Sequence, residues 1–206
     1  MDAFAPSPWP VHLIVALAWL SFGAAHSVLA ATPVKQRLAP LFGVYYRLAY
    51  NLFAALHIGL VMALGGIMLS AQSYVFEPGI SAAMTGIKIL GAIVLLLALR
   101  QYDLGRFSGL SQIRAHRQGK TDPGDEPLVI QGIHQFVRHP LYLGAILYLW
   151  GGANAEFGLL TAVWGSLYLW IGGRHEERSL LALYGPAYTA YRAKVPAILP
   201  WKGRLP

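Results

Sequence analysis

Residues 11–31 contain no Asp, Glu, Lys or Arg, and residues 48–69 repeat that feature over 22 positions. About 20 apolar residues at 1.5 Å rise cross the hydrocarbon core of a bilayer, so each stretch predicts a transmembrane helix. A third, residues 81–99, is interrupted only by Lys88. Residues 141–173 are uncharged except for Glu156. As one helix that run would extend roughly 50 Å, far beyond a bilayer core. The Gly151-Gly152-Ala153-Asn154 cluster is a turn former in its middle. The run therefore predicts a helical hairpin, about 141–151 and 157–173. Only 12% of the 206 residues are charged, half the usual share of about 25%. That excludes a disordered chain and leaves too little polar surface for a water-soluble globule. The absence of cysteine excludes disulfides, thiolate metal sites and cysteine nucleophiles. The first ten residues hold Asp2 and no basic residue, so the first apolar stretch lacks the positive start of a cleaved leader.

Five helices place the two chain ends on opposite sides of the membrane, and the charges test this order. The first connecting loop, residues 32–47, holds Lys35, Arg37 and Arg47; residues 100–138 hold six basic residues, and residues from 174 onward six more. Fifteen of the 16 basic residues thus fall on one predicted face. The opposite face, residues 1–10, 70–80 and 152–156, has Asp2, Glu77 and Glu156 and no Lys or Arg. Positive residues gather on the cytoplasmic side, which puts the N-terminus outside and the C-terminus inside a bacterial-type inner membrane. Lys88 is the exception, either snorkelling or facing the bundle interior. The net charge of +7 is then mainly topology rather than a nucleic-acid footprint. Contact with anionic headgroups is a natural consequence. A polar loop, residues 119–127, separates a membrane half (1–100) from a mixed half (101–206). Beyond Glu176, residues Leu180, Leu183, Tyr184, Ala187, Tyr188 and Tyr191 recur at helical spacing. Gly185-Pro186 kinks that helix midway.

Polar chemistry concentrates at two places. Gly132-Ile133-His134-Gln135-Phe136-Val137-Arg138-His139-Pro140-Leu141-Tyr142-Leu143-Gly144 precedes the hairpin, and Arg174-His175-Glu176-Glu177-Arg178 follows it. A hairpin returns the chain to the side it left, so the two clusters are expected to be neighbours. Together they offer carboxylates, guanidinium groups and imidazoles suited to a zwitterionic or charged ligand. Ordinary decoration of a membrane boundary has about equal weight on spacing alone.

These residues resemble a known superfamily. Arg138-His139-Pro140-Leu141-Tyr142-Leu143-Gly144, a hydrophobic hairpin of about 30 residues and then Glu176-Glu177 look like the core of a membrane enzyme superfamily. It includes the isoprenylcysteine carboxyl methyltransferases and the phospholipid N-methyltransferases. Tyr184-Gly185-Pro186-Ala187-Tyr188-Thr189-Ala190-Tyr191-Arg192, with Val195-Pro196 and Leu199-Pro200, continues the likeness, which covers about residues 126–202. Ala25-His26-Ser27, Tyr102-Asp103-Leu104-Gly105 and Ser108-Gly109-Leu110-Ser111-Gln112 resemble the narrower bacterial methanethiol S-methyltransferases. The resemblance implies an all-α polytopic protein that binds S-adenosylmethionine and methylates a small or lipophilic acceptor, a thiol or an isoprenylcysteine carboxylate above all. Carried over residue by residue, Gly132, His134, Arg138, His139, Pro140, Tyr142 and Gly144 line the cofactor pocket, with Glu176 and Glu177 near its ammonium group or ribose. Arg138 or Arg174 would orient an anionic acceptor. Sterol-type reductases using NADPH resemble the same C-terminal pattern and give the alternative activity; methylation of a phospholipid amine is another.

Other candidates lie within the membrane. His26 is in the first helix and His57 in the second, where Arg47, Asn51 and Ala54 share a face at i, i+4, i+7. Ionisable residues at that depth are functional hypotheses by default, and the first hundred residues are read as the acceptor side. The plainer alternative is an Arg47 at the boundary and histidines bonding between helices. Trp19, Trp150, Trp164, Trp170 and Trp201 read as interface aromatics, and Asp103 and Gln112 as loop polarity. No Walker loop, dinucleotide fingerprint or metal-ligand motif is present. The expected partners are the bilayer and a methyl acceptor, with no metal and no nucleic acid.

Overall fold

A computed structural model describes residues 6–70, 72–121 and 127–202. Asp2, Arg204 and positions 122–126 of the polar loop lie outside the described residues. The order is α1 (Trp9–Ala30), α2 (Thr32–Phe42), α3 (Tyr46–Met68), α4 (Pro78–Leu99), α5 (Leu104–Ser108), α6 (Leu110–Arg117), α7 (Pro140–Gly151) and α8 (Glu156–Lys194). Two 3₁₀ turns, Gly43–Tyr45 and Gly132–Gln135, complete it. Among the described residues there is no strand, and the all-α expectation holds. Three helical segments, Trp9–Ala30, Pro40–Met68 and Pro78–Leu99, are long and apolar enough to cross a membrane. This is an integral membrane protein.

The chain divides into two compact units that interleave along the sequence. Of the described residues, one comprises 6–70 and 102–121. In it α1 and α3 are joined by a seam of polar bonds. Tyr50 Oη lies 2.6 Å from His26 Nε2, Ser21 Oγ 3.1 Å from His57 Nε2, and Tyr46 Oη donates to the Leu29 carbonyl at 2.6 Å. In hydrocarbon such bonds satisfy groups that no water can reach. Residues 32–42, read above as connecting loop, form α2 instead; Lys35 and Arg37 interrupt the apolar run without interrupting the helix. Trp19 is a further correction. It is buried in the middle of α1, edge-on to Phe22 at 6.3 Å, not at an interface.

Of the described residues, the other unit comprises 72–101 and 127–202. Its α4 and α7 pack backbone to backbone. A Cβ added to Gly91 would sit 2.8 Å from the Gly144 carbonyl oxygen, and one on Gly151 2.6 Å from Lys88 Cα. Small residues let helices meet where lipid offers no hydrophobic drive. The helix α7 is only 12 residues long, about 18 Å, and short of a bilayer core of about 30 Å. Its turn is met by residues 73–74, where Tyr74 N–H donates to the Asn154 carbonyl at 2.8 Å and Ser73 bridges Ala155. Lys88 places its ammonium 5.2 Å from the Tyr148 ring centre. The hairpin expected over 141–173 is present, but its second arm does not stop there: α8 continues to a kink at Gly185 (φ 53°), where the backbone is not helical, and its helix resumes from Pro186 to Lys194.

Candidate functional site at the open end of the hairpin

The chain between the 3₁₀ turn and α7 is held by the C-terminal segment. Arg138 N–H donates to the Pro196 carbonyl and His139 N–H to the Ala197 carbonyl, each at 2.9 Å. Pro140 then opens α7, where its missing N–H costs nothing. Gly132 sits at φ +57°, and a Cβ there would come within 2.9 Å of the Gln101 amide. Tyr191 Oη donates to the His134 carbonyl at 2.6 Å. The bend at Gly185 permits this: it turns Tyr188, Tyr191 and Val195 back into one buried cluster, packed by Leu128, Leu180, Leu181 and Tyr184.

Arg138 is the centre of the arrangement. Its Nε and Nη2 reach Glu177 Oε1 at 2.7 and 2.6 Å, while Nη1 donates to the carbonyls of Val195 and Arg192. The same carboxylate oxygen accepts from Tyr188 Oη at 3.0 Å and lies 3.0 Å from His139 Nε2. Arg192 Nε stands 3.6 Å from the other oxygen. The Arg138 and Glu177 side chains are only 9% and 14% exposed. Glu176 is reached from another direction: Tyr142 Oη donates to its Oε2 at 2.6 Å, and His139 Nδ1 lies 3.5 Å from that oxygen. The His139 ring stacks on Tyr142 at 5.1 Å and 12°, and Gly173 leaves room for Tyr142 on α8.

Burial pushes the Glu177 carboxyl upward, but hydrogen bonds from Arg138, His139 and Tyr188 and the Arg138 charge outweigh it. The group is held below the ordinary carboxylate range. Burial, reinforced by the Glu177 charge, drives the Tyr188 hydroxyl well above its usual value, and burial takes Tyr191 up to about 12. His134 is lowered, first by burial. Glu177 is therefore an anion whose charge is spent inside the protein.

Beside this cluster is a cavity of about 460 Å³, within the range of small-molecule sites. Arg138, His139 and Glu177 form its buried wall; Leu169, Trp170, Arg174, Arg178 and Arg192 are among the residues at its more open side. Arg174 lies over the Trp170 ring at 3.8 Å. Of the residues expected to line a cofactor pocket, Arg138, His139 and Glu177 border this cavity, as does Arg174. Gly132, His134, Tyr142 and Glu176 surround that wall without lining the cavity, and Gly144 packs on α4, where a Cβ would fall 2.8 Å from Leu95 N. His26 and Arg47 belong to the other unit. There Arg47 Nη1 donates to the Arg106 carbonyl and Asn51 Nδ2 to the Phe107 carbonyl, both at 2.9 Å, tying α5 to α3. Asp103 caps α5, accepting from Arg106 N–H at 3.0 Å. Gln112 is buried in α6, not loop polarity.

Tyr188, Arg192 and Trp170 were not among the expected site residues, and Arg178 was named only within the polar cluster after the hairpin. For Trp170 and Arg178 the trace in the sequence is their spacing with Arg174, Glu177 and Leu181 along α8, one helix face continued past the hairpin; Tyr188 and Arg192 lie in the tail motif beyond it.

The chain is similar to Nurim of Xenopus laevis, with 26% identity over 133 residues, 61% of this chain and 46% of that protein. It thus spans about half the length of the curated relative it matches. No family model and no solved structure matches it.

Proposed function

We propose that this protein is an S-adenosylmethionine-dependent methyltransferase working at the end of the α7–α8 hairpin that carries Arg138 and Glu177. One observation carries the reading. The Arg138–Tyr142 segment and the Glu176-Glu177 pair, 34 to 39 residues apart, are joined by hydrogen bonds beside the 460 Å³ cavity. A boundary ornament does not require that meeting. The residues present fit the cofactor at two points. Glu176 is 44% exposed, and its Oε1 has no partner among the described residues, which suits an ammonium group. Arg192, 51% exposed and only loosely held by Glu177, suits a carboxylate. When bound, the cofactor would supply a sulfonium methyl group to the acceptor's lone pair, with the thioether sulfur of S-adenosylhomocysteine as the leaving group. Arg138 has its donors committed to Glu177 and two carbonyls, so it is a positioning residue: it fixes the wall on which His139 and Glu177 stand. Catalysis of this kind rests on alignment and exclusion of water, with little demand for acid–base groups. For a thiol acceptor His139 is the group best placed to receive the proton, since it borders the cavity.

The test is binding and turnover by detergent-purified protein. S-Adenosylmethionine should bind, and an acceptor panel of a small thiol, a farnesylated cysteine and phosphatidylethanolamine should release S-adenosylhomocysteine with at least one member. Glu176→Gln should weaken cofactor binding about ten-fold to a hundred-fold, the loss of a hydrogen bond to a charged group. Binding of NADPH in place of S-adenosylmethionine would replace this reading with a reductase.

A further inference from the structure

The outer face of α8 changes character along its length. Val163, Leu167 and Trp170 are exposed and apolar, and one turn on, Arg174 and Arg178 are exposed and cationic. These five residues follow one another at intervals of three or four, hence on one face of the helix. Among the described residues no carboxylate pairs with Arg174 or Arg178; Glu177 is held by Arg138, His139, Tyr188 and, more distantly, Arg192. Like charges at i, i+4 repel, so this pair gains from an anion placed between them. From Val163 to Arg174 is about 16 Å along the axis, comparable to an acyl chain running from the bilayer interior to its surface.

We propose that this face of α8 is a binding site for an anionic phospholipid, with the phosphate on Arg174 and Arg178 and an acyl chain along Trp170, Leu167 and Val163. The apolar-to-cationic order matches the order of groups in a lipid of the leaflet on that side. Trp170, with Arg174 over its ring, stands at the joint between the two zones, where aromatic residues favour the interface. The site lies on the rim of the cavity and does not depend on methyl transfer.

The full chain reconstituted in vesicles of equal phosphatidylglycerol and phosphatidylcholine, then extracted in mild detergent, provides the test by mass spectrometry of retained lipid. Each basic residue near a headgroup favours an anionic lipid about five-fold, so Arg174 and Arg178 together give roughly 25-fold enrichment. Arg174→Gln with Arg178→Gln should abolish most of it, whereas Arg174→Lys with Arg178→Lys should keep most of it. Arg114→Gln with Arg117→Gln, exposed charges of α6, should leave it intact. Should the double glutamine variant misfold, Arg178→Gln alone is expected to lose about five-fold. Equal retention of both lipids overturns the proposal. So does an equal loss in the α6 variant, which would make the effect general surface charge. Displacement of the lipid by 10 mM inorganic phosphate would mark a free-anion site and overturn it likewise.

Discussion

Glu177 shows how little of a residue's role is visible in its identity. The pair Glu176-Glu177 reads as two equivalent carboxylates, yet one is spent on Arg138 and Tyr188 and the other faces outward beside Tyr142. Removing one partner of a nearly buried ion pair leaves the other uncompensated, so Glu177→Gln should destabilise the protein by about 3 kcal/mol, read as a lower melting temperature. The pH dependence has a definite sign. The folded carboxyl titrates below its unfolded value of about 4.3, so the stabilisation is complete above that value. It is lost as pH falls through the lower folded value. Thermal melts between pH 7 and 3 should show a loss of stability below about pH 4 in the wild type that is diminished in Glu177→Gln. An unchanged profile would mean that other carboxylates govern acid unfolding. Tyr188 could not be read as a partner from sequence, because a bend at Gly185 stands between it and Glu177.

For helices, the legible part was the part written one-dimensionally. Runs of about 20 residues with no charge, or with Lys88 alone, gave α1, α3 and α4, since the cost of a charge in hydrocarbon is local. The helix α2 was hidden because Lys35, Arg37 and two prolines resemble loop composition, and α8 was cut too early because polarity begins at Arg174 while helical bonding continues. Close approach is equally illegible: 22 glycines look alike until α7 is laid on α4. Gly144→Ala should lower the melting temperature, since its Cβ would meet the Leu95 backbone at 2.8 Å. Gly172→Ala, with open space around it, should be neutral or gain up to about 1 kcal/mol from helix propensity. A Gly144→Ala protein as stable as the wild type would show that the contact yields freely. Arg47→Ala removes a tie to α5; hydrogen exchange over 104–108 should quicken while cofactor affinity stays unchanged. If turnover on the true acceptor also stays at the wild-type level, α3 is packing and not acceptor site.

At the scale of the molecule, the distribution of basic residues makes a claim about the membrane itself. A reporter after Pro206 should be cytoplasmic and one beside Glu77 external; a C-terminal reporter outside would defeat the five-helix order. The bend at Gly185 has a consequence in time as well as in space. Arg138 is translated 57 residues before Val195, the farthest of the groups that receive hydrogen bonds from its guanidinium. At about 5–20 residues per second that is a wait of roughly 3–11 s during which the guanidinium is on a nascent chain with none of its final partners at first. The hairpin is translated before the tail whose carbonyls hold Arg138. A stall or a premature stop between Glu177 and Tyr188 would therefore leave a membrane-bound protein whose Arg138 lacks the Tyr188 cluster and the carbonyls that hold it.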